Sequence, residues 1–427
     1  MEIIFEPKKT QWATLLKRPV MDTSTLENKV KEILDSVKHD GDAAVLNFTR
    51  TYDNASITNI EISRTEIESS IDKISPELKQ AIQIAYQNIT KFHASQAEPV
   101  QKIEIMPGVT CWRKSVGIER VGLYIPGGTA PLFSTILMLG IPAKLAGCSE
   151  VILCTPEKQG QTIHPAILYA ASIVGINRVF KVGGAHAIAA MAHGTETIPR
   201  VSKIFGPGNQ FVTMAKMLVA KEGVAIDMPA GPSEVMVVAD HTAVPAFVAS
   251  DLLSQCELGA DSQAILVTTH KPLIDLVQTE ILKQLDRLPR KELTAKSLEH
   301  SKLIYVSSET EMVELINIYA PEHLIVSVEN FNDITKRIIN AGSVFLGNYS
   351  PESAGDYASG TNHTLPTNGF ARAYSGVSLD SFVRKITFQE ITREGLTKLG
   401  PTIEELAAAE QLDAHKQAVT IRLNTLK

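Results

Sequence analysis

Cysteine is scarce in this sequence. The four present, Cys111, Cys148, Cys154 and Cys256, are irregularly spaced and include no Cys-x-x-Cys pair, which argues against a disulfide framework or a thiolate zinc site and leaves free thiols as the expectation. Excess charge is also sparse: the formal net charge is -6 over 427 residues and no long basic block occurs. That weighs against a nucleic-acid surface and for a small-molecule substrate. No apolar run approaches the roughly 20 residues needed to cross a bilayer. The opening stretch, Met1 to Pro7, lacks the basic flank, apolar core and cleavage site of an export leader, so a cytoplasmic protein is expected. A complete Gly-x-Gly-x-x-Gly fingerprint, a short-period repeat and any low-complexity tract are missing as well.

What remains is an ordinary globular composition, 44% hydrophobic and 21% charged, in a chain too long for a single core, so roughly two to four domains are expected. The first hundred residues read as helical, with Leu78, Ala81, Ile82 and Tyr86 at the spacing of a buried stripe. From Glu119 short apolar runs alternate with helix-length segments: Val121 to Ile125, Val151 to Cys154, Arg178 to Val182, Lys203 to Phe205 and Val235 to Ala239. A second block follows with Ala264 to Thr268, Leu303 to Val306, Leu324 to Val328 and Ser343 to Leu346. This alternation predicts an α/β fold of two Rossmann-like units with parallel sheets, plus helical N-terminal and C-terminal segments. The expected division is an arm over 1–22, a discontinuous α/β domain over 23–123 and 235–376, a nucleotide-binding unit over 124–234, and a helical segment over 377–427. Within the last, Thr402 to Leu423 reads as one long helix. Glycines follow the strands at Gly127-Gly128, Gly183-Gly184 and Gly206-Pro207-Gly208, where a backbone can approach a ligand, although tight turns without a ligand explain them equally well.

The candidate chemistry centres on Glu322 and His323, at the junction of an apolar helix and a strand. A histidine titrating near neutrality can take a proton from an alcohol, and a neighbouring carboxylate can activate water. Taken alone the pair reads first as a salt-bridged loop. The Pro351 to His363 segment, too polar and small for a core strand, shifts the reading toward a site loop, with Asp356 able to reach a metal or an amine. Gln255 ends a helix, and position 258, one turn on, would share its face. That position holds Leu258, which cannot bind a metal, and Cys256 reads as a small buried side chain rather than a nucleophile.

The motifs Val121 to Gly128, Phe205-Gly206-Pro207-Gly208-Asn209, Asp227 to Glu234, Pro321-Glu322-His323-Leu324, the Pro351 to His363 loop and Ala414-His415-Lys416 together resemble the histidinol dehydrogenase family over nearly the whole chain. The resemblance implies a zinc- and NAD-dependent enzyme that oxidises L-histidinol through an enzyme-held aldehyde to L-histidine, closing histidine biosynthesis. It implies Glu322 as the activator of water and His323 as general base. It further implies Gln255, Asp356 and His415 as zinc ligands, Ser233, Gln255, His323, Asp356, Glu410 and His415 as substrate contacts, and Tyr124 and Asn209 as NAD contacts. A homodimer is implied too, in which Glu410 and His415 act across the interface. Two positions depart from the family. Leu258 stands where a zinc-binding histidine is expected and His186 where a glutamine contacts NAD, and His186 is not expected to replace the lost ligand. The departures leave two alternatives: a member with impaired turnover and a binding or structural role, or a dehydrogenase of the same fold for another alcohol.

Overall fold

The computed structural model describes residues 1–19, 24–55, 57–127, 130–157 and 162–426. Gly128, from one of the glycine pairs above, lies outside them. The strands, in chain order, are β1 (Glu2–Phe5), β2 (Lys102–Met106), β3 (Val109–Gly117), β4 (Arg120–Tyr124), β5 (Glu150–Cys154), β6 (Arg178–Phe180), β7 (Lys203–Phe205), β8 (Ala225–Ile226), β9 (Glu234–Ala239), β10 (Gln263–Thr268), β11 (Lys302–Tyr305), β12 (His323–Ser327), β13 (Ser343–Leu346) and β14 (Val383–Ile391).

Two parallel sheets organise the chain. One has five strands in the order β6-β5-β4-β7-β8, the other six in the order β1-β11-β10-β9-β12-β13. Helices cover both, so β9 and β10 are buried at every position, which is why they read in the sequence as unbroken apolar runs rather than alternating ones. The five-stranded sheet starts in its interior at β4, and the six-stranded one, apart from the N-terminal β1 at its edge, starts at β9; each grows outward before crossing back to the other side. The reversals fall between β4 and β7 in the first sheet and between β9 and β12 in the second. A reversal of this kind opens a crevice between neighbouring loops, the usual place for a ligand in such sheets.

The structure adds a third sheet that the sequence reading did not contain: β14, β3 and β2 pair antiparallel. Its strands mix apolar residues with Lys102, Glu104, Arg113, Lys114, Arg384 and Lys385, and Val383 finds its partner Gly117 from across most of the chain. The C-terminal segment also differs from the single helix expected over 402–423. Helices Arg393–Ala409 and Asp413–Asn424 are separated where Gln411 adopts φ 59°. A left-handed residue stops the helix, and the second helix folds back so that Leu423 lies against Gly400. Near the N-terminus, the long Ser24–Tyr52 helix is broken at Gly41, which sits at φ 54° and ψ -132°.

Candidate active site

The Glu309–Tyr319 helix ends at Ala320, a non-glycine residue held at φ 52° in a fully buried position. Pro321 then forbids further helix, so Glu322 and His323 enter β12 with His323 in register opposite Val235 of β9. Ser233 precedes β9, and Gln255 lies in the last turn of the Pro245–Cys256 helix, which leads to the start of β10. These residues therefore gather at the amino ends of the six-stranded sheet, the edge opposite to the one such sheets ordinarily use.

There Glu322 and His323 are buried, at 5% and 3% exposure. The Glu322 Oε2 accepts the Glu234 N–H at 2.9 Å and lies 3.7 Å from His323 Nδ1. On the other side of the ring, His323 Nε2 lies 3.6 Å from Asp356 Oδ1, beyond hydrogen-bond length, so the attraction is that of charge. Asp356 and Glu352 project from the Glu352–Tyr357 helix one turn apart. With its amide nitrogen turned toward Glu352, Gln255 donates to the Glu352 carboxylate at 3.0 and 3.2 Å, and the same nitrogen lies 3.1 Å from His323 Nδ1. Asp251, one turn before Gln255 on the same helix, is buried as well.

Three carboxyl groups thus surround one imidazole, with Asp251 acting on Glu352 behind them, and their electrostatics follow from that imbalance. Burial pushes the Glu322 carboxyl up to about 8, against the pull of His323 and of the Glu234 N–H. Burial likewise lifts Glu352 to about 8, opposed by His323 and reinforced by Asp356 and Glu322. Asp251 is raised to about 7 by burial. For His323 burial works against charge, but Glu322, Glu352 and Asp356 outweigh it and hold the imidazolium up to about 10. Asp356 is also penalised by burial, yet His323 keeps it below its ordinary value. Such a site has a deficit of positive charge and suits a cation.

The same loop ties the cluster to the other sheet. The His363 Nδ1–H donates to the Asp356 carbonyl at 2.8 Å, and its Nε2 accepts from Thr135 Oγ1 at 3.0 Å. Thr135 lies in the first turn of Phe133–Leu145, the helix that follows β4. The amino edge of the six-stranded sheet thereby meets the carboxyl edge of the five-stranded one. At that edge Tyr124 ends β4, and its hydroxyl accepts the Gly184 N–H at 3.0 Å. Asn209 follows β7 and caps the Gln210–Lys221 helix by accepting the N–H groups of Phe211 at 3.0 Å and Val212 at 3.2 Å. Between them Gly206 sits at φ 130°, where a Cβ would run into the Tyr124 carbonyl. Tyr124 and Asn209 flank the β4/β7 reversal, the position a dinucleotide takes in this architecture.

Of the residues expected from sequence, Ser233, Gln255, Glu322, His323 and Asp356 lie in or beside this cluster. Glu410 and His415 do not join it within one chain: both are exposed on the C-terminal helical hairpin. Leu258 is 49% exposed and offers no ligand atom. His186 is buried against the Ser24–Tyr52 helix, with Nε2 3.3 Å from Thr49 Oγ1 and 3.6 Å from Asp53 Oδ2. Among the described residues no group of three or more His, Cys, Asp or Glu side chains is placed to hold a metal ion. One chain alone presents only Gln255 and Asp356 from the expected ligand set, short of the four that a structural zinc takes or the three of a catalytic one. Sequence reasoning missed Glu352, Asp251 and His363. The first two were signalled by their spacing, each four residues before a chosen residue and hence on its helix face.

Comparison with known proteins bears on the same arrangement. The family model described as histidinol dehydrogenase matches residues 16–423. A histidinol dehydrogenase of Bacteroides thetaiotaomicron is 60% identical over all of both chains, and that of Escherichia coli K12 is 50% identical over 98% of this chain and 96% of its own. The crystal structure of histidinol dehydrogenase from Elizabethkingia anophelis superposes with a TM-score of 0.98 at 54% identity, covering 100% of this chain and 98% of that one. Identity on this scale over the full length, together with a shared fold, leaves a single assignment: the chain belongs to the histidinol dehydrogenase family.

Proposed function

We propose that the protein oxidises L-histidinol to L-histidine in two NAD-dependent steps at the Glu322–His323 cluster. The observation that carries this reading is the surplus of buried carboxyl groups around His323, placed where the two parallel sheets meet. At neutral pH, before substrate binds, Glu322 and Glu352 hold their protons. A cationic amino alcohol supplies the missing positive charge, ionises these groups and lowers His323 into the range where it can accept a proton. His323 then takes the hydroxyl proton of the alcohol as hydride leaves the carbinol carbon. Glu322 takes a proton from the water that adds to the resulting aldehyde, and loss of a second hydride from the hydrate gives the acid. NAD, bound beside Tyr124 and Asn209, supplies the two-electron acceptor for each oxidation. Ser233, Gln255 and Asp356 orient the substrate.

Zinc and a second subunit belong to the same proposal. Gln255 and Asp356 give two oxygen donors, and His415 from a second copy adds a nitrogen, with Glu410 beside it on the exposed hairpin. Leu258 contributes nothing, so metal affinity depends on substrate or water completing the shell. The exposed apolar residues Ile103, Ile105 and Phe388 on the antiparallel sheet support a face that a second copy covers. A cytoplasmic enzyme belongs to the same reading, and among the described residues no helix is long and apolar enough to cross a membrane.

The test is an assay of the purified full chain with histidinol, NAD and added zinc, in which two NADH form per histidinol. No NADH at saturating metal sinks the proposal and favours the impaired member that Leu258 suggests, and faster turnover of simpler amino alcohols points to another substrate. Site sharing is tested by mixing Glu322→Gln and His415→Ala chains, neither of which carries the second oxidation through to histidine alone, with histidine formation as the readout. Mixed dimers regain up to half the parental activity per site pair if the segment is exchanged, and none if each chain builds its own site.

A further inference from the structure

Glu352 has no part in the proton transfers above, yet it is 1% exposed and its carboxylate meets Gln255 rather than solvent. Gln255 is itself 0% exposed, so the choice of which amide atom faces which neighbour is made entirely inside the protein. An amide offers two N–H donors on one side and an oxygen on the other. One donor is taken by Glu352, at 3.0 and 3.2 Å from its two oxygens, and His323 Nδ1 lies 3.1 Å from the same nitrogen. Glu352 also shares a helix with Asp356, one turn away, and Asp356 faces the opposite ring nitrogen of His323 at 3.6 Å. A single short helix therefore fixes His323 from both sides, directly through Asp356 and indirectly through Gln255.

We propose that Glu352 is a positioning residue: by accepting from the Gln255 amide nitrogen it turns the Gln255 carbonyl oxygen toward the bound substrate and holds the His323 ring with Nε2 directed at Asp356. The role rests on the histidinol reading above and deepens it, assigning to Gln255 a fixed orientation that the chemistry requires. Without an acceptor at 352 the amide has no reason to keep its nitrogen inward, and both the substrate contact and the imidazole lose their registration. Partners of this kind behind a binding residue typically govern about 10- to 100-fold in activity or affinity.

The experiment is a double-mutant cycle in the full chain with Glu352→Ala, Gln255→Ala and the pair, measured as kcat/KM for histidinol, with Glu352→Gln as the conservative control and thermal unfolding to confirm folding. Glu352→Ala loses about 10- to 100-fold, Glu352→Gln, which retains an acceptor oxygen, recovers most of the loss, and Glu352→Ala costs less than about twofold once Gln255 is already Ala, the non-additivity of two residues acting as one. Full additivity, or parental kinetics in Glu352→Ala, overturns the assignment. A crystal structure of Glu352→Ala reads the same point without activity: the Gln255 amide nitrogen leaves His323 Nδ1, whereas an amide still in place refutes the role. Should the parent chain make no NADH from histidinol, the functional reading fails, and the orientation of Gln255 in the two crystal structures decides this inference separately.

Discussion

Replacing Glu322 by glutamine separates the two tasks that this side chain performs. The substitution keeps an oxygen to accept the Glu234 N–H, so the local backbone contact survives, but it removes the group that takes a proton from water. The stability effect has a definite sign. The folded-state value of Glu322 is raised from 4.5 to about 8, so the native state holds its proton more tightly than the unfolded chain does. Its contribution to stability is complete below 4.5 and is lost as pH rises through about 8. At about 1.4 kcal/mol per pH unit that gap is worth at most about 5 kcal/mol. Glu322→Gln, with no proton to lose, is therefore equal in stability to the parent at pH 4 and more stable by up to that amount at pH 9, as read by urea unfolding at both pH values. Activity moves the other way. Loss of a general base costs about 10² to 10⁴-fold, and it falls on the water step, so NADH per histidinol drops from two toward one while the first oxidation persists. A variant that still forms two NADH at the parental rate, or one that is less stable than the parent at pH 9, refutes the reasoning.

Further outcomes follow from other parts of the structure. In the free enzyme kcat/KM for the aldehyde intermediate supplied as substrate rises with pH through about 8 as Glu322 ionises, and a profile flat between pH 6 and 9 contradicts the assigned base. Leu258→His places a nitrogen one turn after Gln255 at a half-exposed position, so zinc binds at least about 10-fold more tightly in a chelator competition, with little change in unfolding midpoint. Tyr124→Phe removes the acceptor of the Gly184 N–H, which costs about 1 kcal/mol in stability and raises the KM for NAD more than that for histidinol. Gly206→Ala forces a side chain into the left-handed region against the Tyr124 carbonyl, costing more than about 1 kcal/mol in urea unfolding and weakening NAD with it.

The parallel sheets were legible because strands buried on both faces, such as Val235 to Ala239, leave continuous apolar runs that no surface helix produces. The antiparallel sheet was not. Residues Lys385 and Lys114 sit in its strands as readily as Ile386 does, and nothing local ties 383–391 to 109–117, since pairing over that distance is decided by the whole fold. The C-terminal break at Gln411 left no Gly or Pro to mark it. At the site the chemical types of Glu322, His323, Gln255 and Asp356 were readable, as was their separation into several segments. The inward turn of Glu352 was not, because an acidic residue in a polar loop looks solvated until the helix that carries it is seen to face Gln255.

Placing the chemistry on the amino rim of the six-stranded sheet frees the opposite rim. There Asp240 closes the turn after β9 through Thr242 and Glu329, remote from every group that handles a proton. That end of the barrel-less scaffold is open to insertion, affinity tagging or drift in sequence at no cost to turnover, whereas a change of equal size at the working rim disturbs several reactive groups at once.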